Sequence, residues 1–300
     1  MSSFRSTLCR MLIKHYLAPN FHAQKTIGAQ RKALEKLTKW AVLPSGTRID
    51  EVQIKGLSAE WVSGRDVAED TVVLFLHGGG YSTGSTGTHR ELAAHISDAG
   101  CARVLLPDYR LAPENPFPAA LEDALSAYRW LLANGYSNEH ISIAGDSAGG
   151  GLAIATSIAL RDEGDPAPSS IACISPWTDL AMSGESIKTH AGIDPMLKHA
   201  TLQLMASHYC ALNDPRTPLI SPLYANLRGL SPLLCQVGSD EILLDDAIRI
   251  VAKAKNEGVD ATLKIHDRMW HVWHMTARIV PEAQKAVTEF GSFIRNHFTN

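Results

Sequence analysis

The sequence predicts an α/β fold with a mostly parallel central sheet, flanking helices and a helical lid. Two observations carry this expectation. From about residue 72, short runs that are almost wholly apolar alternate with helix-like stretches. Each run lacks a polar face, the pattern of a strand buried on both sides of a parallel sheet. Strand–helix alternation then builds right-handed βαβ units.

The expected strands are residues 72–76, 102–106, 140–144, 171–174, 233–237 and 261–265, and the expected helices lie near 88–99, 117–134, 147–162, 198–211, 241–257 and 281–297. Residues 51–54 and 59–62 alternate in polarity around Lys55-Gly56-Leu57-Ser58 and predict a hairpin at one sheet edge, where one face can stay wet. Two segments break the alternation. Residues 1–43 predict two helices, the first with Phe4, Leu8, Met11, Leu12 and Tyr16 on one stripe, the second from about residue 22 to 40. Pro19-Asn20 separates them and Pro44-Ser45-Gly46 ends the pair. Residues 178–212 carry a further helix with Leu202, Leu204, Met205 and Tyr209. Neither segment has enough apolar surface to form a domain. They predict one lid (1–43 and 178–212) over the carboxyl edge of a body formed by 44–177 and 213–300.

The chain has 300 residues, 45% of them hydrophobic and 20% charged, with a net charge of −3. That composition is ordinary for a globular protein and argues against disorder or coiled coil. Its 28 basic residues are scattered over the chain, so no nucleic-acid or anionic-membrane footprint is expected. No apolar run approaches the ~20 residues of a spanning helix. Met11-Leu12-Ile13 is too short for the core of a secretory signal. Cys9, Cys101, Cys173, Cys210 and Cys235 are odd in number and none are closely spaced. They predict reduced thiols, a cytoplasmic protein, and neither a disulfide framework nor a structural metal.

The sharpest local feature is Gly145-Asp146-Ser147-Ala148-Gly149-Gly150. Gly-x-Ser-x-Gly alone is a weak signal, but here an expected strand precedes it and an apolar helix follows it. That is the setting of a nucleophile elbow, where the serine occupies a strained turn and its neighbours must be small. The helix starting there aims its N-terminal amides at the hydroxyl. The competing reading, a glycine-rich turn of a nucleotide-binding fold, lacks the acidic ribose ligand expected about 20 residues on. The second feature is His77-Gly78-Gly79-Gly80-Tyr81, at the end of the 72–76 strand. Three consecutive glycines let the backbone approach a ligand and aim N–H groups at it, as an oxyanion site requires.

With Asp108-Tyr109-Arg110-Leu111-Ala112-Pro113-Glu114 between them, these motifs make the chain resemble the hormone-sensitive-lipase-like (bacterial family IV) esterases of the α/β-hydrolase fold. The resemblance covers roughly residues 45–300 and is nearest the bacterial acetyl-hydrolase and ε-lactone-hydrolase branch. It implies that Asp108 and Arg110 brace the glycine loop by hydrogen bonds.

A serine nucleophile needs a base, and in this fold the order along the chain is Ser, acid, His. His266, His271, His274 and His297 lie beyond the candidate acids. His297 sits at the end of the terminal helix, His266 closes a strand and His274 opens a helix, so loop residue His271 is the expected base. The family's Gly-Met-x-His-Val-Phe signature also falls on residues 268–273. For the acid, the family's Asp-x-Leu-x-Asp pattern places Glu241 in the catalytic position, while Asp240 fits only with a one-residue insertion. Asp245 and Asp246 would lie a turn into the helix, as helix-face or lid-contact residues.

The expected chemistry is hydrolysis of a carboxylic ester through an acyl-enzyme on Ser147, with His271 as base, Glu241 orienting it, and the amides of Gly79, Gly80 and Ala148 as the oxyanion hole. No cofactor or metal is called for. Tyr81, Trp177, Met205 and Tyr209 are the expected substrate-binding residues. Phe4, Leu8, Met11, Met182 and Ile187 would add an apolar lid wall, or simply hold the lid to the body. Resemblance implies short acyl chains, roughly acetate to hexanoate, on uncharged alcohols. It also implies pairing of two copies through the sheet edge or C-terminal helix, although no self-complementary patch is legible. A lactone or amide hydrolase would use the same residues. A non-catalytic small-molecule receptor on this fold would tolerate loss of the base.

Overall fold

Five of the six expected apolar runs find burial on both sides of one sheet; the sixth, residues 261–265, lies at the sheet edge and is partly exposed, with Ile265 49% exposed. The computed structural model describes residues 3–21, 23–39 and 41–299. Among these the strands are β1 (Arg48–Ile54), β2 (Leu57–Ser63), β3 (Ala68–Leu76), β4 (Ala102–Pro107), β5 (Ile141–Asp146), β6 (Ser170–Ile174), β7 (Leu233–Gly238) and β8 (Ala261–His266). The helices are α1 (Phe4–Leu12), α2 (Ile27–Thr38), α3 (Thr86–Gly100), α4 (Ala119–Ala133), α5 (Ala148–Glu163), α6 (Ser186–Thr189), α7 (His199–Cys210), α8 (Leu244–Asn256) and α9 (Pro281–Asn296).

Across the sheet the order is β1-β2-β4-β3-β5-β6-β7-β8. The strand β2 runs antiparallel to both its neighbours, and all other pairs are parallel. The expected hairpin is longer than its alternation suggested. Its loop is only Lys55-Gly56, both with positive φ (50° and 91°), the conformation that suits a two-residue hairpin turn. Helix α8 begins at Leu244 rather than 241, because Glu241 turns back onto the end of β7.

Along β3 alternate residues serve opposite layers. Leu74 belongs to the layer that holds Leu121, Leu152 and Ile250 from α4, α5 and α8, whereas Val73 belongs to the layer that holds Leu92, Ile96, Phe290 and Ile294 from α3 and α9. Both are fully buried. Truncating such a residue, as in Leu74→Ala, costs about 2–5 kcal/mol.

The helical N-terminus departs from expectation. Helix α1 continues through a π turn (Ile13–Leu17) and a 3-10 turn (Ala18–Phe21). Its apolar stripe does not pack: Phe4 is 82% exposed and Tyr16 71%, with Leu8, Met11 and Leu12 near half. The opposite face docks, burying Ser6 and Cys9. Polar anchors account for this orientation. The Ser3 hydroxyl donates to Glu282 at the start of α9 (2.9 Å), and Arg10 donates to Asp240 (2.6 Å) and the Ile193 carbonyl (2.7 Å). The second expected helix is α2; its expected end residues His22 and Trp40 lie outside the described residues. In α7, Leu202, Met205 and Tyr209 are buried and Leu204 is half-buried. No helix among the described residues is long and apolar enough to cross a membrane.

Candidate active site

Strand β5 runs directly into Ser147, whose φ of 54° and ψ of −122° reverse the chain into α5. Such a backbone is rare for a residue with a side chain and marks a strained, functional turn. Close packing explains the glycines around it. A Cβ on Gly149 would lie 1.9 Å from the Leu76 carbonyl oxygen, a backbone atom with no freedom to retreat. The Ser147 N–H donates to the carbonyl of Ile174 (2.8 Å), which ties the turn to β6.

The loop after β8 brings His271 over this turn. Its Nε2 lies 2.9 Å from Ser147 Oγ, and its Nδ1 lies 2.9 Å from Glu241 Oε2. All three side chains are buried, Ser147 being 8% exposed and Glu241 fully enclosed. The other oxygen of Glu241 accepts the Gly238 N–H (2.6 Å) and the Ser175 hydroxyl (2.7 Å). Burial on its own would lower the basicity of His271, but the hydrogen bond and charge of Glu241 prevail and raise its pKa above the usual histidine value.

Structure also sorts the remaining candidates. Asp240 points to Arg10. Asp245 accepts the Ser186 N–H (2.9 Å), and Asp246 accepts those of Thr178 (2.8 Å) and Asp179 (2.9 Å). His274 bonds Gln236 (2.7 Å), and burial drives its pKa well below the ordinary range. His297 caps α9.

The glycine loop is joined to the elbow through Asp146, which accepts the Gly78 N–H (2.9 Å) and faces the His89 ring (3.4 Å). His77 stacks on Tyr109 with ring centres 4.2 Å apart; burial and the neighbouring His89 bring its pKa down to about 3, so the ring is neutral. Bracing of this loop differs from expectation. Arg110 pairs with Asp123 and Glu122 on α4, and Asp108 meets the backbone of Thr86. The contacts to the loop come instead from the Tyr109 hydroxyl, donating to the His77 carbonyl (2.6 Å), and the Ala112 N–H, donating to that of Tyr81 (2.8 Å).

Behind Gly80 stands a row of large side chains. Tyr81 stacks on Tyr209 at 3.7 Å and tilts toward Trp177 at 6.4 Å. Met205 fills the space where a Gly80 Cβ would sit, 2.1 Å from its sulfur. All four are at most 4% exposed, and the Trp177 indole N–H donates to the Asp179 carbonyl (3.2 Å).

Several contributors carry no signal in the motifs. Arg31 on α2 donates to the carbonyls of Ser82 (2.8 Å) and Ala112 (2.9 Å) and pairs with Glu114. Asp194 accepts the N–H of Ile242, next to Glu241 (3.0 Å). Ser175 opens a family-like stretch, 175–180, but its partner, like that of Arg10, gives no local signal, because each acts across more than 60 residues of chain. The five cysteines are free thiols, and no group of three or more His, Cys, Asp or Glu among the described residues could hold a metal.

Residues 73–275 match the family described as alpha/beta hydrolase fold. An acetyl-hydrolase from Streptomyces hygroscopicus is 46% identical over 247 residues, covering 82% of each chain. An esterase from Acinetobacter venetianus is 34% identical over 278 residues, 92% of this chain and 89% of that one. Among solved structures, an esterase from the bacterial hormone-sensitive lipase family has a TM-score of 0.95 at 42% identity over the whole of both chains. The structure of EstE5 soaked with p-nitrophenyl butyrate gives 0.94 at 42% identity, covering 99% of each.

Proposed function

Since the chain belongs to the α/β-hydrolase family and, within it, to the hormone-sensitive-lipase-like esterases, we propose that it hydrolyses carboxylic esters through Ser147, His271 and Glu241. The observation that carries this assignment is the continuous chain Ser147 Oγ–His271–Glu241, with both hydrogen bonds at 2.9 Å in a buried site.

Ser147 Oγ attacks the ester carbonyl while His271 Nε2 takes its proton. Glu241 holds the Nδ1 proton and stabilises the imidazolium that forms. The amides of Gly79, Gly80 and Ala148 receive the oxyanion; losing one donor of this kind typically costs about 10²–10³ in turnover. His271 then returns the proton to the departing alkoxide, and the freed alcohol leaves. A water deprotonated by the same imidazole attacks the acyl-enzyme and releases the acid.

Residues 1–43 and 178–212 act as one lid on the body formed by 44–177 and 213–300. Its substrates are short acyl esters of uncharged alcohols. Two features support this: the acetyl-hydrolase relative, and Met205 with the Tyr81–Tyr209 stack closing the space beside Gly80. Five free thiols support a cytoplasmic location. Ser147→Ala should abolish turnover of p-nitrophenyl butyrate and labelling by a fluorophosphonate. Retained turnover would reject the nucleophile, and a wild-type protein that resists labelling would favour a binding role.

A further inference from the structure

Glu241 has one more rotatable bond than an aspartate, so its carboxylate must be held if it is to orient an imidazole. Gly238 supplies one donor from its own loop. The other comes from Ser175, immediately after β6 and fully buried. Its Oγ lies 2.7 Å from Glu241 Oε1 and 3.2 Å from the backbone nitrogen of Val272, the residue after His271. A backbone N–H can only donate, so the hydroxyl accepts from Val272 and its own proton goes to the carboxylate. Both partners sit in the left-handed region, Ser175 at φ 48° and Val272 at φ 50°, a costly conformation for a β-branched residue. Two strained residues, one after β6 and one after β8, thus meet at one hydroxyl, which binds both the acid and the turn bearing the base.

We infer that Ser175 is a positioning residue of the triad: its hydroxyl locks the Glu241 carboxylate and the His271 turn into one relative geometry. This rests on the triad reading above. It acts through Glu241 and touches no substrate.

The test is a kinetic cycle on p-nitrophenyl butyrate with Ser175→Gly and Ser175→Ala, each alone and combined with Glu241→Gln. Glycine takes φ 48° without strain, so Ser175→Gly removes the hydroxyl while relieving the backbone. Thermal melts verify that the variants fold. Expected is a fall in kcat of about 10- to 100-fold for both single variants, the size of a hydrogen bond to a charged group, with KM within about twofold. On a Glu241→Gln background the further loss should shrink to less than about threefold, because the hydroxyl has lost the group it acts through. Wild-type kcat in Ser175→Gly, or an equal loss with and without Glu241, would overturn the inference. Full turnover in Glu241→Gln alone would instead overturn the triad, and this inference with it.

Discussion

Arg10 holds Asp240. Its guanidinium lies 2.6 Å from the Asp240 carboxylate and also donates to the carbonyls of Arg268 (3.3 Å) and Ile193 (2.7 Å). One side chain from α1 therefore joins the loop of the acid, the loop of the histidine and the segment ahead of α7. With its charge engaged there, Asp240 cannot also face His271, whose Nδ1 belongs to Glu241.

The two adjacent carboxylates should therefore behave differently. Glu241→Gln keeps the size of the side chain but presents the wrong partner to Nδ1–H, and should lower kcat by about 10³–10⁴. Asp240→Asn loses a partly exposed ion pair and should cost less than about tenfold. Steady-state turnover of p-nitrophenyl butyrate by both variants decides; a larger loss from Asp240→Asn would reverse the assignment.

The pH dependence follows from the same pair. Only neutral His271 can accept the Ser147 proton, and its pKa is raised above the ordinary 6.5 by Glu241. Hence kcat/KM should rise with pH through an apparent pKa above 6.5 and be lost below it. In Glu241→Gln only the weaker charges of Asp194 and Asp146 still oppose the burial of the ring, so the residual activity should show its acid limb at lower pH. An unmoved limb would mean that another group governs the profile.

That the acid could not be read unambiguously from sequence has a physical cause. Ser147 and Gly79 are legible because their backbone demands, a strained turn and a close approach, are met by small residues beside them in the chain. Choosing between positions 240 and 241 depends on Arg10, some 230 residues upstream, and no local pattern reports it. The stripe Phe4–Leu8–Met11 fails for a related reason. Periodicity identifies an apolar face but not its direction, and Ser3 and Arg10 turn that face outward. The inner strands of the parallel sheet were legible since burial on both sides leaves no alternative face to choose; the edge strand at 261–266 is only partly buried.

A second carboxyl pair predicts a stability effect. Asp246 is fully buried, and burial, with the neighbouring Asp179 second, raises its pKa from 3.8 to about 8. Asp179 carries the charge, because Ser183, Arg249 and Tyr224 all donate to it. Asp246 Oδ1 has no partner among the described residues, a place for the proton. Between the unfolded value and about 8 the folded protein binds the extra proton, so this group's stabilisation is full below that window and fades as pH rises through it. Asp246→Asn keeps an acceptor for the two backbone N–H groups and cannot ionise. Its melting temperature should exceed that of the wild type near about pH 9, with the difference closing toward about pH 4. Parallel melting curves at every pH would show that Asp246 does not titrate in the fold.

The proposed lid should affect rate as well as selectivity. Arg31 on α2 donates to the Ser82 carbonyl (2.8 Å), two residues past Gly80, and to the Ala112 carbonyl (2.9 Å), whose own N–H supports Tyr81. Removing the guanidinium unties the glycine loop from both sides while leaving Met205 and Tyr209 in place. Arg31→Ala should therefore lower kcat by about tenfold for acetate, butyrate and hexanoate esters alike, from loss of charge-assisted hydrogen bonds discounted for partial exposure. Removal of residues 1–43 takes away Arg10 and Arg31 together, and should add a change of acyl-length preference to a larger fall in kcat. If Arg31→Ala instead shifts only the preference and leaves acetate turnover intact, α2 shapes the pocket and does not hold the oxyanion loop.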